Sequence, residues 1–236
     1  MEEKWNSRTE ILLGKEGIEK LKEAKVIIYG IGGVGSFVTE GLARAGVGNL
    51  ILVDKDVISK SNINRQIHSN INTVGKEKTE VMKERILGIN PDCNVEIYNP
   101  NELEFEEEKL IDNSIDYVVD SIDTVKQKIN IIVRAKEVGV SIISAMGAGN
   151  KLDPTKFEVT DIYKTSVCPL AKVIRKELRK RNIKKLKVVY SKEERIDRNK
   201  DEDEKFKNTV GSVSFVPSVM GLIIAGEIIK DITKEK

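Results

Sequence analysis

The feature that most constrains this chain lies near its start. Lys25-Val26-Ile27-Ile28-Tyr29, a short apolar and β-branched run, passes without a spacer into Gly30-Ile31-Gly32-Gly33-Val34-Gly35. Ser36 to Ala45 follows with apolar side chains at Phe37, Val38, Leu42 and Ala45, a helical spacing. A buried strand, a G-x-G-x-x-G turn and a helix in direct succession open a helix-covered parallel sheet that binds phosphate. The glycines let the backbone approach an anion, and the helix N-terminus offers free N–H groups at the positive end of its dipole.

The same alternation continues. Strands are expected at 49–54, 94–98, 116–120 and 140–146, with helices over 76–87 and 125–138. The acidic stretch 102–112 reads as a helix with a solvated face. Beyond residue 150 come a strand at 157–161, an apolar helical stripe at Leu170, Val173, Ile174 and Leu178, and a strand at 186–190. Residues 193–208 are nearly all charged or polar and read as a mobile loop. A last apolar helix covers 218–229. The predicted fold class is α/β: a Rossmann-like, mostly parallel, doubly wound sheet with a mixed C-terminal extension. A length of 236 residues suits one such domain.

Bulk properties exclude several classes. Forty basic and 38 acidic residues nearly cancel, so overall charge names no partner. Two isolated cysteines, Cys93 and Cys168, make neither a disulfide framework nor a four-ligand zinc site, and point to a reducing, cytoplasmic setting. The single histidine, His68, rules out chemistry needing two and reads as a loop histidine. Met1 to Trp5 does not read as a secretory leader. The apolar stretch Val213 to Ile229 is broken by Pro217, serines and Glu227, so it reads as core, with no stable membrane association.

The glycine turn (Gly30, Gly32, Gly33, Gly35) and Asp54, placed to accept from ribose hydroxyls, serve NAD as well as ATP. The next segment separates the two. Asn62, Arg65 and then Lys78 supply cations and amides that suit a triphosphate. Asp120 and Asp123 fall at the C-terminal end of the fourth strand, the edge where open parallel sheets bind ligands. A carboxylate there can hold Mg²⁺ near phosphates. No G-x-x-x-x-G-K-[ST] motif is present.

These residues together resemble a known family. G-I-G-G-V-G, L-A-R-A-G-V-G at 42–48, V-D-K-D, S-N-I-N-R-Q, Lys78 and V-V-D-S-I-D look like the ubiquitin-activating-enzyme-like adenylating superfamily, the ThiF, MoeB and HesA group. The resemblance implies a single adenylation domain over 1–236, whose 1–150 half binds ATP and whose 151–236 half faces the substrate. It assigns Gly33, Asp54, Asn62, Arg65, Lys78 and Asp123 to nucleotide and magnesium, with Asp123 essential. It also matches Arg8 to an arginine that reaches the neighbour's γ-phosphate in a homodimer.

Branches that charge ubiquitin-like or sulfur-carrier proteins usually carry paired C-x-x-C zinc ligands, which this chain lacks. The segments 7–10, 64–68, 147–155, 159–164, 169–180 and 211–217 instead resemble the tRNA threonylcarbamoyladenosine dehydratases. That implies ATP-dependent cyclising dehydration of a tRNA nucleoside through a carboxyl-adenylate, and leaves room for a sulfur-transfer protein partner. Protein-tail adenylation is the alternative, and NAD-dependent oxidation a weaker one. Charge supplies an independent reason. From Lys172 to Lys187 there are nine cations against one anion, Glu177. Lys172, Arg175, Lys176, Arg179 and Lys180 should line the helix face opposite the apolar stripe, as a surface for the tRNA phosphates.

Overall fold

The computed structural model describes residues 4–102, 104, 106–196 and 209–234. Seven strands form one sheet in the order β3-β2-β1-β4-β5-β7-β6. They are β1 (Lys25–Tyr29), β2 (Asn49–Val53), β3 (Asn94–Tyr98), β4 (Tyr117–Asp120), β5 (Ser141–Ala145), β6 (Phe157–Asp161) and β7 (Lys187–Ser191). All neighbours run parallel except β6, which closes the edge antiparallel to β7. The order reverses between β1 and β4, so their C-terminal ends open a crevice at the topological switch point.

Strand period sets the two faces. Val26 and Ile28 point to one side, and Ile27 and Tyr29 to the other; all are buried, as expected of strands covered on both faces. The first side packs on α1 (Ser7–Glu23), α2 (Gly35–Ala45), α3 (Lys78–Leu87) and α6 (Phe215–Thr233), through Leu21, Val38, Leu42, Met82, Ile86, Ile224 and Ile228. The second packs on α4 (Val125–Val138) and α5 (Pro169–Lys180), through Ile129, Ile132, Ala135, Ile174 and Leu178. No helix among the described residues is long and apolar enough to cross a membrane.

Several expectations change. Among the described residues of the acidic stretch 102–112 there is no α-helix, only the short 3-10 turns Pro100–Glu102 and Glu107–Leu110. Its carboxylates at helical i,i+4 spacing, Glu102 with Glu106 and Glu104 with Glu108, would repel, and no apolar stripe offsets that. Conversely, α1 carries no clear sequence signal. It is polar, bends at Gly14 and leaves Ile11 and Leu12 exposed, so it lacks a clean stripe. The last helix starts earlier than its apolar run suggests, at Phe215, because Pro217 sits in its first turn, where no N–H needs an acceptor. The expected mobile loop is anchored at its start. Glu193 is buried, its carboxylate accepts from the N–H groups of Leu152 (2.9 Å) and Asp153 (3.0 Å), and Ile196 N–H donates to Asn150 O. Residues 197–208 of that loop lie outside the described residues.

Candidate nucleotide site

The strand ends β1, β2 and β4 and the start of α2 enclose a cleft of about 580 Å³. Gly30 turns the chain with φ +86°, and a Cβ there would meet Ser121 O at 2.9 Å. Gly35 is packed closer still: a Cβ would stand 1.8 Å from Gly30 O. Ser121 Oγ donates to Tyr29 O (2.8 Å) and Gly30 O (2.7 Å), which ties the loop to the end of β4. The N–H groups of Gly32, Gly33 and Val34, residues that line the cleft, have no acceptor among the described residues. Free amides ahead of α2 form an anion site.

Asp54, Asn62, Arg65 and Lys78 line the same cleft, as the sequence led us to expect. Asp54 has a further task that its motif does not announce. Its Oδ2 accepts from Ile31 N–H at 2.6 Å and its Oδ1 from Asp56 N–H at 2.9 Å, so the carboxylate braces the glycine loop. Burial raises its pKa, against the pull of the Lys78 ammonium. Lys78 Nζ is nearly buried and pairs with Asp56 at 2.6 Å and Asp54 at 3.8 Å. Arg65 lies against Gly33, and its Nη1 donates to Ser61 O (2.7 Å) and Asn64 Oδ1 (2.9 Å). It has no carboxylate partner among the described residues, so the rest of its guanidinium remains available to an anion. Asn62 Oδ1 caps Ser59 N–H at 3.0 Å.

The two aspartates after β4 divide sharply. Asp120 is fully buried. Its Oδ2 accepts from Lys128 Nζ (2.7 Å) and Ser144 Oγ (2.5 Å), and its Oδ1 from Ile122 N–H (3.3 Å). That carboxylate is consumed and leaves nothing for a metal. Asp123 is exposed on the cleft wall, with only the Thr124 hydroxyl beside it at 3.3 Å. The buried Lys128 is not among the residues the motifs single out. The available signal is a lysine set into the apolar face of α4, in register with Val125, Ile132 and Ala135. Glu107 and Gln127, which also line the cleft, are likewise outside the motifs.

Sequence comparison now adds to this geometry. The ThiF family profile matches residues 6–236. The chain belongs to the ThiF family. Its relatives include a tRNA threonylcarbamoyladenosine dehydratase of Bacillus subtilis, 44% identical over 240 residues, covering 97% of this chain and 94% of that protein. A second, from Escherichia coli, is 37% identical over 178 residues, covering 74% of this chain and 66% of that protein. The crystal structure of the E. coli tRNA N6-threonylcarbamoyladenosine dehydratase in complex with ATP superimposes with a TM-score of 0.85 at 30% identity, covering 96% of this chain and 93% of that one.

In this ThiF-family chain the remaining expected residues separate. Arg8 is exposed on α1 and does not line the cleft of its own chain. On α5, Ala171, Ile174 and Leu178 are buried while Lys172, Lys176, Arg179 and Lys180 are exposed. Arg175 differs from expectation. Its Nη1 is turned inward onto the Thr165 hydroxyl, Thr165 O (3.0 Å) and Ile162 O (3.5 Å), because those acceptors sit one layer below the helix. Its Nη1 thus braces the turn before the helix, while no carboxylate pairs with the guanidinium among the described residues. Arg179 stacks 5.5 Å over the Tyr163 ring, and Glu177 binds Lys180 (2.7 Å) and Arg181 (2.8 Å). Lys187 faces away, paired with Glu227 and Asp231 of α6. Leu170, at the start of α5, lines the cleft, so the basic helix begins at the cleft edge.

Cys168 is buried at the N-cap of α5, where its Sγ accepts from Ala171 N–H at 3.5 Å. His68 is buried too, and its pKa is lowered to about 4 by burial, with Lys78 and Arg85 adding to the effect. Neither residue lines the cleft.

Proposed function

We propose that this chain uses ATP to activate the carboxylate of threonylcarbamoyladenosine in tRNA and so drives its cyclising dehydration. The observation that carries this is the convergence of the glycine loop, Arg65, Lys78 and Asp123 on one cleft that the basic helix α5 adjoins. The near full-length similarity to the B. subtilis dehydratase supports it.

The glycine-loop amides and the guanidinium of Arg65 hold the phosphates. Lys78 leans toward them from Asp56. A carboxylate oxygen of the substrate attacks the α-phosphorus, the bond to pyrophosphate breaks, and an acyl-adenylate forms. A heteroatom of the adjoining carbamoyl group then attacks the activated carbonyl carbon, and AMP leaves with the carboxylate oxygen. One water is lost and a ring closes. The second step asks mainly for positioning, since its nucleophile is tethered to its target.

The donor set fits Mg²⁺. Asp123 is an unencumbered carboxylate on the cleft, and no cluster of three or more His, Cys, Asp or Glu exists among the described residues. Mg²⁺ is commonly held by one or two carboxylates together with substrate phosphates and water, not by an all-protein cage. When bound, it would supply positive charge to the phosphates. Mass spectrometry of nucleosides from modified tRNA treated with the protein and ATP should reveal a product lighter by one water. Unaltered nucleosides, or equal conversion without ATP, would refute the reading.

Two partners belong to this proposal. The first is tRNA along α5. Lys172 and Lys176 are exposed, one helical turn apart, and form no ion pair among the described residues. Lys172→Glu with Lys176→Glu should weaken tRNA binding and flatten its dependence on log salt concentration by about 2, roughly one for each phosphate no longer neutralised. Unchanged binding and slope would move the tRNA surface elsewhere. The second is another copy of the chain. Trp5, Ile11, Leu12, Phe215 and Leu222 expose apolar surface on α1, its approach and α6, and Arg8 stands among the first of them. Exposed apolar patches mark association sites. In the dimer Arg8 would serve the partner's cleft. Arg8→Ala should then slow AMP formation roughly tenfold to a hundredfold without abolishing ATP binding. Mixing that variant with Asp123→Ala should restore activity, because a hybrid dimer contains one intact site. Failure of the mixture to recover would exclude the shared site. The alternative acceptor, the tail of a ubiquitin-like or sulfur-carrier protein, predicts pyrophosphate exchange that needs such a protein and ignores tRNA.

A further inference from the structure

The cleft continues past the glycine loop to a second end. There Val53, Pro100 and Ile122 form an apolar wall, and Glu107 and Gln127 supply the polar groups. This end lies on the α4 side of the sheet, whereas α2 covers the opposite side. The 3-10 turn carrying Glu107 is pinned there, since Tyr29 Oη donates to Glu107 O at 2.9 Å and the turn packs on α4. Glu107 is only 7% exposed, and its Oε1 has no hydrogen-bond partner among the described residues. Burial, with Glu108, raises its pKa; Lys55 and Gln127 oppose that, and Asp54 adds to it. A buried carboxyl oxygen left without a donor is costly, and native structures keep such groups for a reason.

That reason is in the layout of the cleft. Phosphates belong at the free amides ahead of α2, and Asp54 stands midway at the end of β2, where such sheets hold ribose. The base of the nucleotide therefore falls between the apolar wall and Glu107. This step rests on the ATP reading given above. We propose that Glu107, with Gln127 beside it, selects adenine over guanine: its carboxyl accepts from the exocyclic amino group of adenine, where guanine turns a carbonyl oxygen to the same place. Gln127 alone cannot discriminate, because a rotated amide donates as readily as it accepts. An ionised carboxyl only accepts. In that form it meets the guanine carbonyl oxygen at the same place with no hydrogen to share, so it favours adenine.

The test compares kcat/KM for nucleoside monophosphate release from ATP and GTP, with modified tRNA as substrate, in the full chain and in Glu107→Gln and Glu107→Ala. The unaltered chain should favour ATP strongly. Glu107→Gln should lower the ATP/GTP ratio about tenfold or more, with the GTP value rising in absolute terms, a gain that partial unfolding cannot produce. Glu107→Ala should lower the ratio through the ATP value, with an unchanged melting temperature. If the unaltered chain releases AMP but both variants keep its ratio, or if it uses both nucleotides equally, Glu107 is not the selector and the ATP reading stands. If it releases no AMP at all, the ATP reading itself fails, and the selector with it.

Discussion

Asp123→Ala should abolish AMP formation, lowering it by about 10³-fold or more, while the melting temperature stays where it was. The size follows from what the side chain does. Among the described residues it is the only carboxylate after β4 that lines the cleft without an ion-pair partner, since Asp120 is committed to Lys128 and Ser144. On the proposed mechanism, Asp123 would hold the metal that offsets charge on the phosphates during adenylation. The fold should not depend on it, because Asp123 is exposed and its one side-chain hydrogen bond among the described residues is from the neighbouring Thr124 hydroxyl. Pyrophosphate release with modified tRNA and Mg²⁺, followed alongside thermal unfolding, checks both halves. A variant that still adenylates at the normal rate would remove Asp123 from the mechanism. One that is inactive but also unfolded would contradict a purely catalytic role.

Lys128→Met acts in the opposite way, on stability. Lys128 Nζ is wholly buried and donates to Asp120 Oδ2, Ser144 Oγ (3.3 Å) and Ala145 O (3.0 Å), so it bridges β4 and β5 beneath the cleft. Methionine has comparable length and packs well, but it leaves the Asp120 carboxylate buried without its cation. Breaking one partner out of such a pair costs about 3–5 kcal/mol. For a chain of this size that corresponds to a melting temperature lower by roughly 6–20 °C. The same loss should loosen the turn after β4, because Asp120 Oδ1 holds Ile122 N–H. ATP affinity should consequently fall with stability. Calorimetry on the full chain measures the first effect, and an unshifted transition would mean that the buried pair is energetically idle.

These two positions bracket what a linear sequence can reveal. The glycine loop, Asp54, Asn62, Arg65, Lys78 and Asp123 are legible because each belongs to a short motif placed at a strand end, and strand ends are visible from local apolar runs. The helix expected over 102–112 is absent among the described residues for a local reason, like charges at i,i+4 spacing, that composition alone underweights. Arg175 departs from its expected outward position for a non-local reason. On a helical wheel it sits near Lys172 and Lys176, yet its guanidinium reaches the acceptors of Thr165 and Ile162, which belong to a turn several residues upstream. Glu107 resembles its acidic neighbours and nevertheless turns inward.

The glycine loop on its own leaves NAD and ATP both open, and the cations after β2 argue for ATP. Local sequence determined the alternation of strand and helix, the phosphate-binding turn and the inventory of charged residues near it, since these depend on residues adjacent along the chain. Which of two aspartates three positions apart would face the cleft, which cations of α5 remained free, and which glutamate was buried at the far end were decided only when β4, α4 and the 107–110 turn came together. Burial and ion pairing are properties of the space between segments distant in sequence. In that space Asp120 was committed to Lys128 in the core, and Asp123 was left on the cleft wall.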